Sequence, residues 1–595
     1  MPDASSRSIR DATIFAIGKR NLRFASHLWT FIFLSISVDA FNFDVRNAEV
    51  ISHPSGCGDS LFGYSVAFLK EKGVTWLLVG APQDSKDCQG SAKSLTRGGV
   101  IYKCRTDGGS DPCSPIPLPE MENSTHEGSH DVESSLTGWT IDVEDIEDGR
   151  IVVCSHHVMH HPSQCGVGGA CYWLSGTKSE ARKMTPFKQE ITAHRKGSVC
   201  HTNQRGGFSP HFVKKTAEII IGAPAAFNGH GAVAQYRDRG NRMGNQVLIN
   251  NSTLPYSNYI ASKPFLTKEM SHEAYFGYSI SSGKFSQVNK TMYVASAPRS
   301  NSLKGKVFIF DFPENPGEPI SMRFELEGSQ LGEYFGYSLC VVDLDSDGLD
   351  DLVIGAPYHT LDDNTKDIHK HSWDEGRIYV YMNQIGTAMA DSGLQIMGTK
   401  QAGARFGTSI ANIGDINNDG FSDVAVGAPY EGLGHGAVYI YHGSRDGLIS
   451  QYKQRISATE INHSLMGFGI AISNGTDLDG NNYNDIAIGA PLSGNVVLLK
   501  SRPIIKFQTS LTSNLGKMDV NANGFMRVCI NYSGIHTLPS LVAAINLSAK
   551  KLAKEVKIVV NGTKHEIYTY YPELKNNIIH CDRFGLEIRV LQHQS

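Results

Sequence analysis

The chain has almost no net charge for its size: 55 Lys and Arg stand against 59 Asp and Glu in 595 residues, a formal charge of −4. Without a basic excess it lacks the electrostatic footprint that nucleic acid or an anionic membrane surface selects. Long apolar runs are missing too. Beyond residue 40 no stretch of about 18 or more apolar residues occurs, so nothing there reads as a membrane-spanning helix. A hydrolase nucleophile elbow is also lacking. Gly63-Tyr64-Ser65, Gly277-Tyr278-Ser279 and Gly336-Tyr337-Ser338 begin like G-x-S-x-G, but the fifth residue is Ala67, Ser281 or Cys340. What is plentiful is glycine, at 60 residues, with 40% hydrophobic and 9% aromatic content. That composition excludes a disordered chain and points to a folded, turn-rich one, for which length alone suggests about four globular units.

The N-terminal region carries the only long apolar run. Lys19, Arg20 and Arg23 precede residues 28–38 (LWTFIFLSISV), and small residues around Ala40 suit a signal peptidase. The pattern predicts a cleaved signal peptide over 1–40, a mature start at Phe41 and an oxidising, extracellular destination for the 11 cysteines. Nine sequons agree with that exposure: Asn123, Asn250, Asn251, Asn289, Asn462, Asn474, Asn531, Asn546 and Asn561.

Internal repetition organises the rest. Phe-Gly-x-Ser, a spacer and an apolar run ending in Gly-Ala-Pro recur as LFGYSVAF…LLVGAP from 61 and YFGYSI…MYVASAP from 275. The same pattern fills 334–357, 405–429 and 467–491, with degenerate copies at 135–157 and 206–224. Each copy is followed by a Gly-opened β-branched or aromatic run, such as GRIYVYM at 376–382. Seven copies of about sixty to seventy residues, built of strands with no helical period, predict an all-β, seven-bladed β-propeller over 41–502. The segment 41–50 (FNFDVRNAEV) is expected to close the ring as an outer strand of the last blade.

In the last three repeats the spacer carries oxygen side chains at loop positions 1, 3, 5 and 9. These are Asp343, Asp345, Asp347 and Asp351; Asp415, Asn417, Asp419 and Asp423; and Asp477, Asp479, Asn481 and Asp485. Alternate residues of a tight loop converge on one point, and Leu349, Phe421 and Tyr483 at position 7 can add a carbonyl, so the loops predict three structural Ca2+ sites. Because every ligand comes from one short loop, no open cavity for metal catalysis is expected. The fourth repeat lacks the carboxylates and is expected to bind no metal. His156, His157, His160 and His161 beside Cys154 and Cys165 raise a zinc reading, but in a secreted chain a disulfide-braced loop is preferred.

The Phe-Gly and Gly-Ala-Pro repeats, the three calcium loops and the start FNFD together resemble an integrin alpha-subunit ectodomain head. The laminin-binding-like subgroup is favoured by the calcium-free fourth blade, GRIYVYMNQ (376–384) and residues 412–444. No domain-sized insertion separates blades 2 and 3, so the resemblance is to members without an inserted I domain. It implies a non-enzymatic cell-adhesion receptor that forms a heterodimer with an integrin beta subunit and contributes to binding an extracellular-matrix, laminin-like protein at the cell surface. For beta-subunit docking it implies an axial aromatic cup of Tyr64, Trp139, Tyr278, Tyr334 and Tyr337, open where blades 6 and 7 carry Thr408 and Ile470. For ligand binding it implies Phe227, Asn228 and Glu273.

The same resemblance implies the disulfides Cys104–Cys113 and Cys154–Cys171, with Cys529–Cys581 stapling 503–595, a partial thigh-like β-sandwich. Pairing of Cys57, Cys88, Cys165 and Cys200 stays open, and Cys340 is expected as a buried free thiol. A segment of this length matches a receptor head without its remaining leg domains or membrane span. The alternatives are a secreted calcium-dependent binding module of the same repeats and an accessory domain of a phospholipase-D-like enzyme.

Overall fold

The computed structural model describes residues 13–15, 30–37, 42–56, 58–84, 98–107, 113–118, 136–156, 169–175, 178–184, 207–214, 216, 218–237, 258–261, 273–285, 290–312, 320–361, 373–383, 389–513, 523–543, 545–551 and 554–590. The chain divides into two compact units, Phe43–Ser501 and a second made of Met1–Asn42 with Arg502–Ser595.

The first unit is built of seven four-stranded antiparallel sheets among the described residues. Blade 5 is representative, running Leu339–Val342, Asp351–Ala356, Arg377–Met382 and Ala390–Ile396 from inside to outside. Its second strand is buried at every residue, as a strand covered on both faces must be. The innermost strands of successive blades touch one another, and that of blade 7 touches that of blade 1, so the sheets close into a ring. Residues Glu49–Ser52 close it by strand pairing. They pair with Asn495–Leu499 as the outer strand of blade 7.

Each residue of the repeat serves the seam between blades. The Gly355 backbone lies so close to blade 6 that a Cβ there would stand 2.2 Å from the Gly407 carbonyl oxygen. Gly407, the glycine of the next Phe-Gly, has φ of 90°, a conformation in which glycine carries no Cβ penalty. The serine of Phe-Gly-x-Ser ties the same spot, since Ser338 Oγ donates to the Gly407 carbonyl at 2.8 Å. Ser65, Ser209 and Ser409 repeat that bond to Gly138, Gly277 and Gly469. Phe62, Phe276, Phe335, Phe406 and Phe468 are buried between blades.

The second unit places Lys506–Ser513, Asn523–Ser533, His580–Val590, Lys554–Val560 and Ile545–Lys551 in one sheet. Its core holds Met526, Val528, Ile530, Tyr532, Ile545, Leu547 and Leu586. Thr30–Ser37, from the apolar run assigned to a leader, pairs antiparallel with Ile545–Lys551 in that sheet. Cys104–Cys113, Cys154–Cys171 and Cys529–Cys581 are bonded across paired strands. Cys340 is free and buried, its thiol pushed up to about 12 by burial. Cys57, Cys88, Cys165, Cys200, His157, His160 and His161 lie outside the described residues. His156 is buried, edge-on to Trp139 and Phe208.

Candidate metal loops and axial aromatic site

The three acidic loops share one hydrogen-bond plan. The carboxylate at position 9 lies at the start of a buried strand and accepts two backbone N–H groups. Asp351 takes those of Leu344 (2.9 Å) and Asn383 (2.7 Å), Asp423 those of Ile416 (2.9 Å) and Gly443 (3.0 Å), and Asp485 those of Leu478 (2.8 Å) and Ser501 (2.7 Å). Position 1 accepts the N–H of position 6, as Asp343 does from Gly348, Asp415 from Gly420 and Asp477 from Asn482. These bonds fold each loop back, and in blades 5 and 7 three of its carboxylates converge. Left-handed residues, Ser346 and Gly348, Asn418 and Gly420, and Gly480 and Asn482, make the turn.

Convergence of like charge calls for a cation. Oxygen atoms of Asp343, Asp345 and Asp351 lie within 4.8 Å of one another, and so do those of Asp477, Asp479 and Asp485. In blade 6 Asn417 stands at position 3, where the other loops carry a carboxylate, and its amide donates to Asp419 (2.9 Å) and to His442 Nδ1 (2.9 Å). Burial, with facing carboxylates adding to it, pushes Asp351 up to about 7, Asp423 to about 8 and Asp485 to about 6. Asp343 Oδ1 is buried and bonds to no protein group. An orphaned oxygen within an all-oxygen donor set fits a hard divalent cation. Among the position-7 residues, Leu349 and Tyr483 bury their side chains while Phe421 is half-buried.

Blade 2 answers the same need differently. Its corresponding stretch, 142–150, ends in Arg150, whose Nε and Nη2 bond Glu144 at 2.6 and 2.8 Å. A guanidinium stands there beside the loop carboxylate.

The second site lies where the blades meet at the axis. The residue after each Phe-Gly projects onto one face, and the rings form a continuous arc. Tyr64 and Trp139 lie 4.4 Å apart between centroids, Phe208 and Tyr278 4.7 Å, Tyr278 and Tyr337 5.5 Å, and Tyr334 and Tyr358 5.6 Å. Burial, with neighbouring phenols adding to it, holds the Tyr64 and Tyr278 hydroxyls well above their ordinary range and Tyr337 at about 12. These phenols are therefore neutral, presenting ring faces and hydroxyl dipoles.

The side expected to be open is a pocket with walls of its own. Thr408 and Ile470 do line the central pocket, but Tyr430 and Arg405 line it too. Arg405 stacks between Tyr358 and Tyr430, 4.8 and 4.9 Å from their centroids, and pairs with Asp374 at 3.3 Å. The sequence signal for these residues was present but weaker. Phe208 follows Gly207 as Tyr64 follows Gly63, and Tyr358 and Tyr430 each follow a Gly-Ala-Pro. Arg405 stands directly before Phe406 with φ of 53°, as Tyr334 stands before Phe335 with φ of 61°.

Glu273 is exposed and pairs with Arg299 at 3.1 Å, whose guanidinium lies 4.8 Å above the Tyr275 ring. Phe227 and Asn228 lie in the short helix Ala226–Gly229 after the third Gly-Ala-Pro, and their side chains are outside the described set. Of the sequon residues, Asn462, Asn474 and Asn561 are exposed, Asn531 and Asn546 are half-buried, and Asn123, Asn250, Asn251 and Asn289 are outside the described residues. Among the described residues no helix is long and apolar enough to cross a membrane.

Comparison with known proteins agrees with this architecture. The FG-GAP repeat family model matches residues 335–381, 406–441 and 468–499. Integrin alpha-4 of Xenopus laevis is 32% identical over 559 residues, covering 90% of this chain and 50% of the relative. Integrin alpha-PS3 of Drosophila melanogaster is 31% identical, covering 82% and 46%, and integrin alpha-3 of Cricetulus griseus is 33% identical, covering 81% and 43%. The chain spans about half the length of the curated relatives it matches.

Proposed function

The chain is a homologue of integrin alpha subunits, and on that premise we propose that it forms the head of a cell-adhesion receptor subunit that docks an integrin beta subunit. No catalysis is assigned to it. The observation that carries the reading is the neutral aromatic arc on the ring's axial face, from Tyr64 through Trp139 and Tyr278 to Tyr337, with Tyr334 on its rim. Stacked ring faces attract a desolvated cation by about 2 kcal/mol or more, so the arc suits a basic side chain of the beta subunit. We read residues 1–40 as a secretory leader on their charge and apolar pattern, although Thr30–Ser37 pairs with Ile545–Lys551 in the structure, with the propeller over 41–502 and a thigh-like sandwich in 503–595. On this reading the head lies outside the cell.

Calcium occupies three structural sites in blades 5–7. Asp343, Asp345, Asp347 and Asp351, with their counterparts at 415–423 and 477–485, supply the side-chain oxygens, and Leu349, Phe421 and Tyr483 a carbonyl each. The ion clips the hairpin that joins the two inner strands. A matrix protein of laminin type is the favoured ligand, met by Phe227, Asn228 and Glu273 together with the beta subunit. Relatives of similar identity carry several alpha-subunit names, so the ligand class rests on the fourth-blade and 412–444 sequences.

Co-secretion with an integrin beta ectodomain tests the reading. Heterodimer is expected from the native chain and is expected to be lost in Trp139→Ala and Tyr278→Ala. A native chain that stays monomeric beside a folded beta subunit would refute subunit docking. Heterodimer that binds an Arg-Gly-Asp peptide but not laminin would refute the ligand class alone.

A further inference from the structure

The axial pocket attracts a cation but offers it no counter-charge. Its described lining is Tyr64, Tyr337, Pro357, Tyr358, Thr408, Tyr430 and Ile470 with one charged group, Arg405, and that group is itself positive. Burial keeps the flanking phenols protonated, so they contribute no anion. A basic side chain entering alone would be desolvated beside a like charge that two long bonds to one Asp374 oxygen offset only in part, an arrangement that is costly unless a further anion accompanies it.

Arg405 is placed to receive that anion. Its side chain is 31% exposed, its plane is held between two tyrosine rings, and its described bonds run from Nε and Nη2 to a single oxygen of Asp374, at 3.4 and 3.3 Å. A guanidinium carries five donors in a fixed fork, so Nη1 keeps both of its own for an incoming carboxylate. Stacking removes the freedom that Arg otherwise loses on binding.

We propose that Arg405 is a specificity residue for the docking partner: the partner segment that puts a cation into the cup also carries a carboxylate, which pairs with Arg405. The charges then alternate across the face, from partner cation to partner carboxylate to Arg405 to Asp374. This rests on the axial face being the subunit-docking surface. A partner loop bearing only a basic residue is rejected by Arg405, which makes the pocket selective for an acid–base pair.

The test uses the secreted chain with a co-secreted integrin beta ectodomain as probe. Arg405→Glu is expected to lower capture at least about tenfold. Reversal of one acidic residue to Lys in the partner's inserted segment is expected to restore it, a rescue that a purely structural role for Arg405 does not give. Arg405→Gln, which keeps a hydrogen-bonding amide beside Asp374, is expected to flatten the salt dependence of capture even if the Glu variant fails to fold. Capture unchanged in Arg405→Gln at every salt concentration, or the absence of any restoring reversal, overturns the proposal. If the native chain captures beta and Tyr278→Ala does not, such a result leaves the docking surface standing; a native chain that captures nothing removes both.

Discussion

Asp351, Asp423 and Asp485 each give both oxygens to backbone N–H groups and still sit high in pKa, because burial and facing carboxylates outweigh those bonds. The sign of the consequence is fixed. A carboxyl whose folded pKa is raised above the unfolded value of about 3.9 favours the fold at acid pH, and that contribution is lost as pH rises through the folded value. Without divalent cation the head is therefore expected to lose thermal stability as pH climbs from about 4 through the window of about 6 to 8 set by these three groups. Calcium should remove the penalty, so the gap in melting temperature between calcium and chelator widens with pH. A gap that is constant or narrows toward pH 8 counts against ligation by these residues. The acidic loops could be located in the sequence because their chemistry is local, with every candidate donor inside nine positions. Arg405 was less so: it holds the left-handed position before Phe-Gly that Tyr275 and Tyr334 share, but its meaning depends on stacking between Tyr358 and Tyr430 from other segments.

At the level of the blade, the conspicuous motif residues turn out to serve neighbours more than their own sheet. Gly355 ends the run of a buried strand, yet what a side chain there would strike is the Gly407 carbonyl of blade 6 and Ser338 Oγ, each 2.2 Å from the added Cβ. Backbone on one side and a motif hydroxyl on the other leave little room to yield. Gly355→Ala is expected to cost about 1–3 kcal/mol through this overpacking, seen as a lower denaturant midpoint at unchanged slope. Ser338→Ala, which removes the bond to Gly407, should cost about 1 kcal/mol. Gly58→Ala, where a Cβ meets nothing within 4 Å, is the control and should be neutral. Equal losses at Gly58 and Gly355 would mean that the seam contact is not what selects glycine. Strand order and the blade count could be read from the repeat because each copy restates the same seam. The degenerate third copy hid Phe208, since Gly207 stands there without the Phe that marks the position in the regular copies.

Closure decides how the whole ring behaves. Buried clusters of an acid, a third-strand tyrosine and a basic group recur as Glu333, Tyr379 and His359, and as Glu431, Tyr439 and Arg455. Each of those draws all members from its own repeat or its immediate flank. At blade 1 the acid and tyrosine are Asp84 and Tyr102, but the basic member is His53, 2.9 Å from Asp84 and contributed by the segment that has just completed blade 7. One imidazole thus bonds across the seam between the last blade and the first, from the stretch of chain that links Glu49–Ser52 of blade 7 to Ser65–Glu71 of blade 1. His53→Ala leaves the buried Asp84 carboxylate with the Tyr102 hydroxyl but without the ring nitrogen, at a cost of about 1–3 kcal/mol. Because a ring without that latch opens at one place, the loss should be local before it is global. Amide exchange is expected to rise first in Glu49–Ser52 and Asn495–Leu499, while Met292–Ala297 in blade 4 stays protected. Exchange that rises evenly around all seven blades would show instead that the ring unfolds as one unit and that His53 has no special place in its closure.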